Sequence, residues 1–116
     1  MPSERPRDRI QDILDNIAWI EEDTRDLEEN QFLSDRRLQD AVMFSLLRIS
    51  EAARKLEGQA EALMPGQPWD KVRSLGNLLR HGYDEIDLHI IWRIVQGDLR
   101  PLRDACRRAL ISSAES

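Results

Sequence analysis

Between Lys71 and Asp84 the chain reads Lys-Val-Arg-Ser-Leu-Gly-Asn-Leu-Leu-Arg-His-Gly-Tyr-Asp. Arg73, Asn77 and His81 follow one another at intervals of four residues, so a helix would carry them along one side. Arg80 adjoins them. Together they offer fixed cations, an amide, and an imidazole of the kind that titrates near neutral pH. Such a set suits cleavage of RNA without a metal. The histidine would move a proton, and an arginine would hold a phosphate through two hydrogen bonds. The plainer reading is the polar side of an ordinary amphipathic helix, and the spacing alone does not choose between the two.

Other chemistry finds little support. There is no glycine-rich phosphate loop, no Cys/His cluster and no His-Glu-x-x-His pair. His81 and His89 are eight residues apart, with an expected helix break between them, so neither a metal site nor a cofactor is expected. Cys106 is the single cysteine, which rules out an intramolecular disulfide and suits a reducing cytoplasm. Its setting, Ala105-Cys-Arg-Arg-Ala, reads as a packing position on a helix.

The elements that must carry these residues are all helical. Ile10, Ile13, Leu14, Ile17, Ile20 and Leu27 keep a 3.6-residue period and predict a first helix over 7–28. Ser34 is a candidate N-cap for a long second helix over 35–63. Its wide apolar arc, from Leu38 and Val42 through Met43, Phe44, Leu47 and Ile49 to Leu63, marks it as the central helix. That arc fits either burial within its own bundle or a share in a homodimer interface.

Met64-Pro-Gly-Gln-Pro68 is a break. Pro68 then opens a third helix, which frays at His81-Gly82. Asp87 can cap a fourth helix ending at Gly97, and Pro101 opens a fifth. The expected architecture is an all-α antiparallel bundle of four or five helices. Residues 7–111 form the domain, between a flexible N-terminus (1–6) and a flexible polar tail (112–116).

Of 116 residues, 41% are hydrophobic and 34% charged, a balance that suits one helical core with a solvated exterior. No apolar run approaches the roughly 18 residues of a membrane span, and the charged N-terminus has no signal-like stretch after it. The net charge of −5 argues against nucleic-acid binding by the whole surface. It is unevenly spread. Residues 1–64 hold 9 Lys and Arg against 15 Asp and Glu, whereas residues 65–116 hold 8 against 7. Phosphate contacts are therefore expected from the second half.

Asn77-Leu-Leu-Arg-His81-Gly-Tyr83 resembles the core of the Arg-x4-6-His motif of HEPN proteins, in the HepT-like form that ends His-x-Tyr. Ser50-Glu51-Ala-Ala-Arg-Lys-Leu56 is similar to the Glu-Ala-Ala stretch of that family's second helix. Pro68-Trp69, Ile91-Trp-Arg-Ile-Val95 and Asp98-Leu-Arg-Pro-Leu102 match further landmarks in order. The resemblance implies a cytoplasmic helical homodimer whose motif residues meet in a cleft between protomers. It implies a metal-independent ribonuclease of prokaryotic toxin–antitoxin systems, with RNA as substrate and His81 as proton-transfer group. It also implies a minimal nucleotidyltransferase antitoxin that transfers AMP onto a tyrosine, at the position of Tyr83. Packing of Tyr83 against the fourth helix is the plain alternative.

Glu51 is expected either to pair with a motif arginine or to lie exposed beside Arg54 or Arg48. One departure matters: Gly76 stands where the HepT-like motif usually has its arginine. Arg73 and Arg80 are the remaining candidates for the phosphate, with Asn77 orienting chain or substrate. Arg73 sits mid-helix and Arg80 at the expected frayed end, so Arg73 is expected to make the stronger contact. Gly76 also favours a second reading, a catalytically weak scaffold that binds a nucleotidyltransferase without cleaving RNA.

Overall fold

A computed structural model describes residues 5–115; residues 1–4 and Ser116, at the outer ends of the expected flexible segments, lie outside the described residues. The order is α1 (Pro6–Thr24), α2 (Glu29–Leu33), α3 (Arg36–Leu56), α4 (Gly58–Leu63), α5 (Trp69–His81), a 3-10 turn (Tyr83–Glu85), α6 (Leu88–Arg93), a π turn (Ile94–Asp98) and α7 (Leu99–Glu115). The described residues contain no strand, and the all-α bundle expected from the periodicity is the architecture found.

Helix α3 is the central element. It carries α1 on one side and α5 on the other, and α7 lies against α1. Ile10, Ile13, Ile17 and Ile20 line the inner face of α1, and Val42, Leu46, Ile49, Ala53 and Leu56 that of α3. Each fully buried branched side chain of this kind contributes about 1.5–3 kcal/mol.

Several boundaries differ from the sequence expectation. Helix α1 stops at Thr24 rather than Glu28. Asp26 there takes a φ of 60°, in the left-handed region, and Thr24 Oγ1 donates back to the Ile20 carbonyl at 2.7 Å. The expected break at 30–34 instead holds the short helix α2. Phe32 is fully buried there, its ring 5.3 Å from that of Trp92. Gln39 Nε2 donates to the carbonyls of Phe32 and Leu33, which closes the C-terminal end of α2.

Asp35, not Ser34, caps α3, accepting from the Leu38 N–H at 3.1 Å. The Ser34 hydroxyl instead donates to the Asn30 carbonyl. The long helix expected over 35–63 is two helices, because Glu57 adopts a φ of 50° and turns the chain between α3 and α4.

The fourth and fifth expected helices, conversely, are joined. The chain does not stop at Gly97 but widens into a π turn and continues as α7. Pro101 has no N–H to donate, and its ring would crowd the carbonyl four residues back, at Gly97. A local π turn is the usual way a continuous helix accommodates such a residue. Helix α7 reaches Glu115, so the backbone stays helical across 112–115. Among the described residues no helix is long and apolar enough to cross a membrane.

Candidate functional site on helix α5

Helix α5 is anchored at its start. Trp69 is 2% exposed, and its Nε1 donates to the Met64 carbonyl at 2.9 Å, tying α5 to the end of α4. Midway, Ser50 Oγ of α3 donates to the Arg73 carbonyl at 3.1 Å. Gly76 is buried one turn further on. A Cβ built there would collide with Ser50 Oγ and lie 2.9 Å from Ser50 Cβ. The two backbones approach so closely here that only glycine fits without something moving.

The space over Gly76 is taken by the guanidinium of Arg80, one turn on. Arg80 Nη1 stands 3.3 Å from the place of that absent Cβ. It donates to Glu51 Oε1 of α3, while Arg80 Nη2 donates to Asn77 Oδ1 at 2.8 Å. The other oxygen of Glu51 takes a hydrogen bond from Arg54 at 2.7 Å. The Arg54 hydrogen bond, then the charges of Arg54 and Arg80, hold the Glu51 carboxyl below the usual carboxylate range against some desolvation. Glu51 therefore pairs with Arg80 and with Arg54 at once, and is half-buried rather than exposed. Two guanidiniums share one carboxylate, so the group keeps a net positive charge.

His81 closes α5 on the next position. Its side chain is exposed and makes no hydrogen bond to any described residue. Helix α5 ends at His81 with Gly82 as its C-cap, where the sequence places the end, and Arg80 stands in its last turn.

Arg73 faces elsewhere. Its guanidinium donates to both carboxylate oxygens of Glu61, at 2.8 and 2.6 Å, and to the Glu57 carbonyl at 2.6 Å, with Asp70 at 3.5 Å. The Arg73 hydrogen bond lowers Glu61 to about 2. The site thus gathers Arg80, Asn77 and Glu51, with His81 next in the chain, while Arg73 braces α5 against α4. His89 belongs to another locus, its Nδ1 3.1 Å from Glu29 of α2.

Tyr83 follows in the 3-10 turn, 46% exposed, and its hydroxyl donates to Asp40 of α3. That bond is the chief reason its phenol is held above the usual range. Partial burial and Asp84 add to the shift, and Arg36 opposes it. Sequence reasoning missed Asp40, Arg36 and Ser50. Arg36 and Asp40 are four apart on α3 and share a face, but nothing local says that Tyr83 meets them. An apolar groove of about 440 Å³ runs beside the site, between α3, α5 and the π turn, with Leu46, Val72, Leu75, Leu78, Ile94 and Leu102 in its lining. Among the described residues no three His, Cys, Asp or Glu side chains are grouped to hold a metal ion.

The chain is thus an all-α bundle with Arg80 and His81 at the end of one helix and Tyr83 in the turn after it. The sequence pattern of the ribonuclease HepT-like family matches residues 13–109, and the chain belongs to that family. It is 32% identical over 97 residues to "Probable ribonuclease HepT" of Thermococcus cleftensis, covering 84% of this chain and 88% of that one. Two proteins of Methanocaldococcus jannaschii are also similar. "Putative RNase MJ1380" is 31% identical, with 81% of this chain and 86% of that one covered. "Putative RNase MJ0127" is 37% identical, with 82% and 78% covered. No solved structure matches the chain.

Proposed function

We propose that the chain is a HepT-like toxin ribonuclease that cleaves RNA without a metal, with Arg80 and not Arg73 as its phosphate-holding cation. One observation carries this reading: Arg80 spans the space above Gly76, held by Glu51 and Asn77, with the exposed His81 next in the chain. Two of the five guanidinium N–H groups are engaged there, which leaves donors for a phosphate. His81 takes the proton of an RNA 2′-hydroxyl as that oxygen attacks the adjacent phosphorus. The 5′-oxygen leaves, protonated by the histidine of a second copy, and Arg80 bears the charge that builds on the phosphate.

The second copy belongs to the same reading. In a homodimer with α5 near the two-fold axis, the exposed Leu78 and the neighbouring apolar groove would lie at the contact. Light scattering should give twice the chain mass at micromolar concentration. A nucleotidyltransferase antitoxin silences the enzyme by placing AMP on Tyr83. Added bulk and negative charge beside the site would keep RNA away.

The test is cleavage of RNA by the purified chain beside His81→Ala. Cleavage that His81→Ala abolishes and EDTA leaves unchanged supports the reading. Loss on chelation, with recovery on adding a divalent ion, overturns its metal-free chemistry. The buried Gly76 favours one rival, a scaffold that binds the nucleotidyltransferase and cleaves nothing. Absence of any His81-dependent cleavage would favour it.

A further inference from the structure

Asp40 is left over by the cleavage chemistry, and so is the cavity it borders. That cavity, of about 370 Å³, opens where the Tyr83 hydroxyl points, with Arg36, Gln39, Asp40, Met43, Tyr83 and Asp84 in its lining. Tyr83 and Asp40 are 43 residues apart in sequence, yet the hydroxyl donates its hydrogen bond straight to the carboxylate. Arg36 lies one turn before Asp40 on α3, close enough to act on the phenol through its charge, as Asp84 does from the 3-10 turn. Asp40 and Glu51 are eleven residues apart on α3. On an ideal helix that is about 16 Å along the axis and about 20° around it. One face of α3 thus receives Tyr83 at one point and Arg80 at another.

We propose that Asp40 is the proton acceptor that prepares the Tyr83 hydroxyl for transfer of a nucleoside monophosphate, with Arg36 facing the phosphates in the cavity. The proposal rests on the reading of Tyr83 as the acceptor of that group. The co-reactant is a nucleoside triphosphate delivered by the transferase. Tyr83 Oη attacks its α-phosphorus and an O–P bond forms. The bond from that phosphorus to the bridging oxygen breaks, and pyrophosphate leaves with the electron pair. The phenol proton passes to the Asp40 carboxylate and then to water; nothing is oxidised or reduced.

A neutral phenol is a weak nucleophile, and a carboxylate already bonded to it stands where a general base must stand. A purely structural tie between α3 and the 3-10 turn would need only an acceptor, which an amide oxygen also supplies.

The experiment uses the full chain carrying His81→Ala, so that unmodified protein is not selected against. It is produced in the organism that encodes it and weighed intact, with Tyr83→Phe as the blank. The His81→Ala parent should carry one nucleoside monophosphate on Tyr83. Adding Asp40→Asn should lower the modified fraction at early times on the order of tenfold or more, with an unchanged melting curve, and Asp40→Glu should recover part of it. Tyr83 is the single tyrosine, so in the same two chains made unmodified, in a host without the transferase, tyrosinate absorbance reads its ionisation alone. That ionisation should fall back toward the ordinary phenol range in Asp40→Asn. Equal modification of the parent and Asp40→Asn would overturn the role of Asp40 and leave the Tyr83 reading standing. An identical phenol titration in the two would show that the contact is absent in solution and would also overturn it. A parent without nucleotide on Tyr83 would overturn both.

Discussion

The guanidinium of Arg80 lies against Gly76, its Nη1 3.3 Å from where a side chain at that position would begin. The glycine at the motif's arginine position and the arginine one turn later therefore form one arrangement. The helix gives up a side chain where it presses on Ser50, and a longer side chain reaches back over the gap. On the proposed reading the cation comes from a different residue, Arg80, which meets Glu51.

Arg80→Ala should accordingly reduce RNA cleavage on the order of ten- to hundredfold, the range for a charge-assisted contact made in the transition state. Arg80→Lys should recover only part of it, since a lysine cannot bridge Glu51 and Asn77 as a planar fork does. Initial rates on a defined RNA, with circular dichroism as a folding control, check this. Full activity in Arg80→Ala would sink the assignment.

Gly76→Ala should destabilise the fold by about 1–3 kcal/mol, the usual cost of forcing an extra methyl into a packed contact. Because the obstacle is Ser50, with Oγ in collision and Cβ at 2.9 Å, Ser50→Gly in the same chain should relieve most of the loss. Urea midpoints of the two single variants and the double variant measure it. Additive losses would mean that the two residues do not meet as described.

Arg73→Ala should leave cleavage near the parent level while lowering the melting temperature, because its guanidinium serves Glu61 and the Glu57 carbonyl. The pH dependence follows from Glu61, which Arg73 lowers to about 2 in the folded chain. A depressed carboxylate contributes stability that is present above its unfolded value and lost as pH falls through the folded one. The brace should therefore hold at neutral pH and fail between about pH 4.5 and 2. The melting temperature of Arg73→Ala should converge on the parent's across that window.

The choice between these two arginines marks how far local reasoning reached. Apolar spacing was enough to find α1, the central helix and α5, because a buried stripe is written into neighbouring turns. Asp87 as a cap was legible for the same reason: the donor it accepts from, the His89 N–H, is two residues away. Arg73 and Arg80 are seven residues apart and lie on the same side of His81 on a helical wheel, about 20° from each other, so the angles do not decide between them. What separates them in the structure is which carboxylate each one meets, Glu61 on α4 or Glu51 on α3. Glu61 reaches Arg73 only because Glu57 breaks the expected long helix at a positive φ. The contact of Tyr83 with Asp40 is likewise a product of tertiary packing and leaves no mark at either position.

Cys106 gives the last prediction. It is fully buried in α7, and burial pushes its thiol up to about 12. Thiolate, not thiol, reacts with disulfide and alkylating reagents. The native chain should therefore stay unlabelled by such a reagent at neutral pH and label fully once unfolded in denaturant. The pH effect has a definite sign. The unfolded thiol ionises near 9 and the folded one near 12, so the associated stability is complete below 9 and is lost as pH climbs through that interval. Cys106→Ala should lack this alkaline component. Because it removes a buried sulfur from a packed site, it should also lower stability at neutral pH by about 1 kcal/mol. Labelling kinetics followed by intact mass, alongside melting curves at neutral and alkaline pH, check both halves. Rapid labelling of the native chain at neutral pH would show that α7 does not cover the thiol as described.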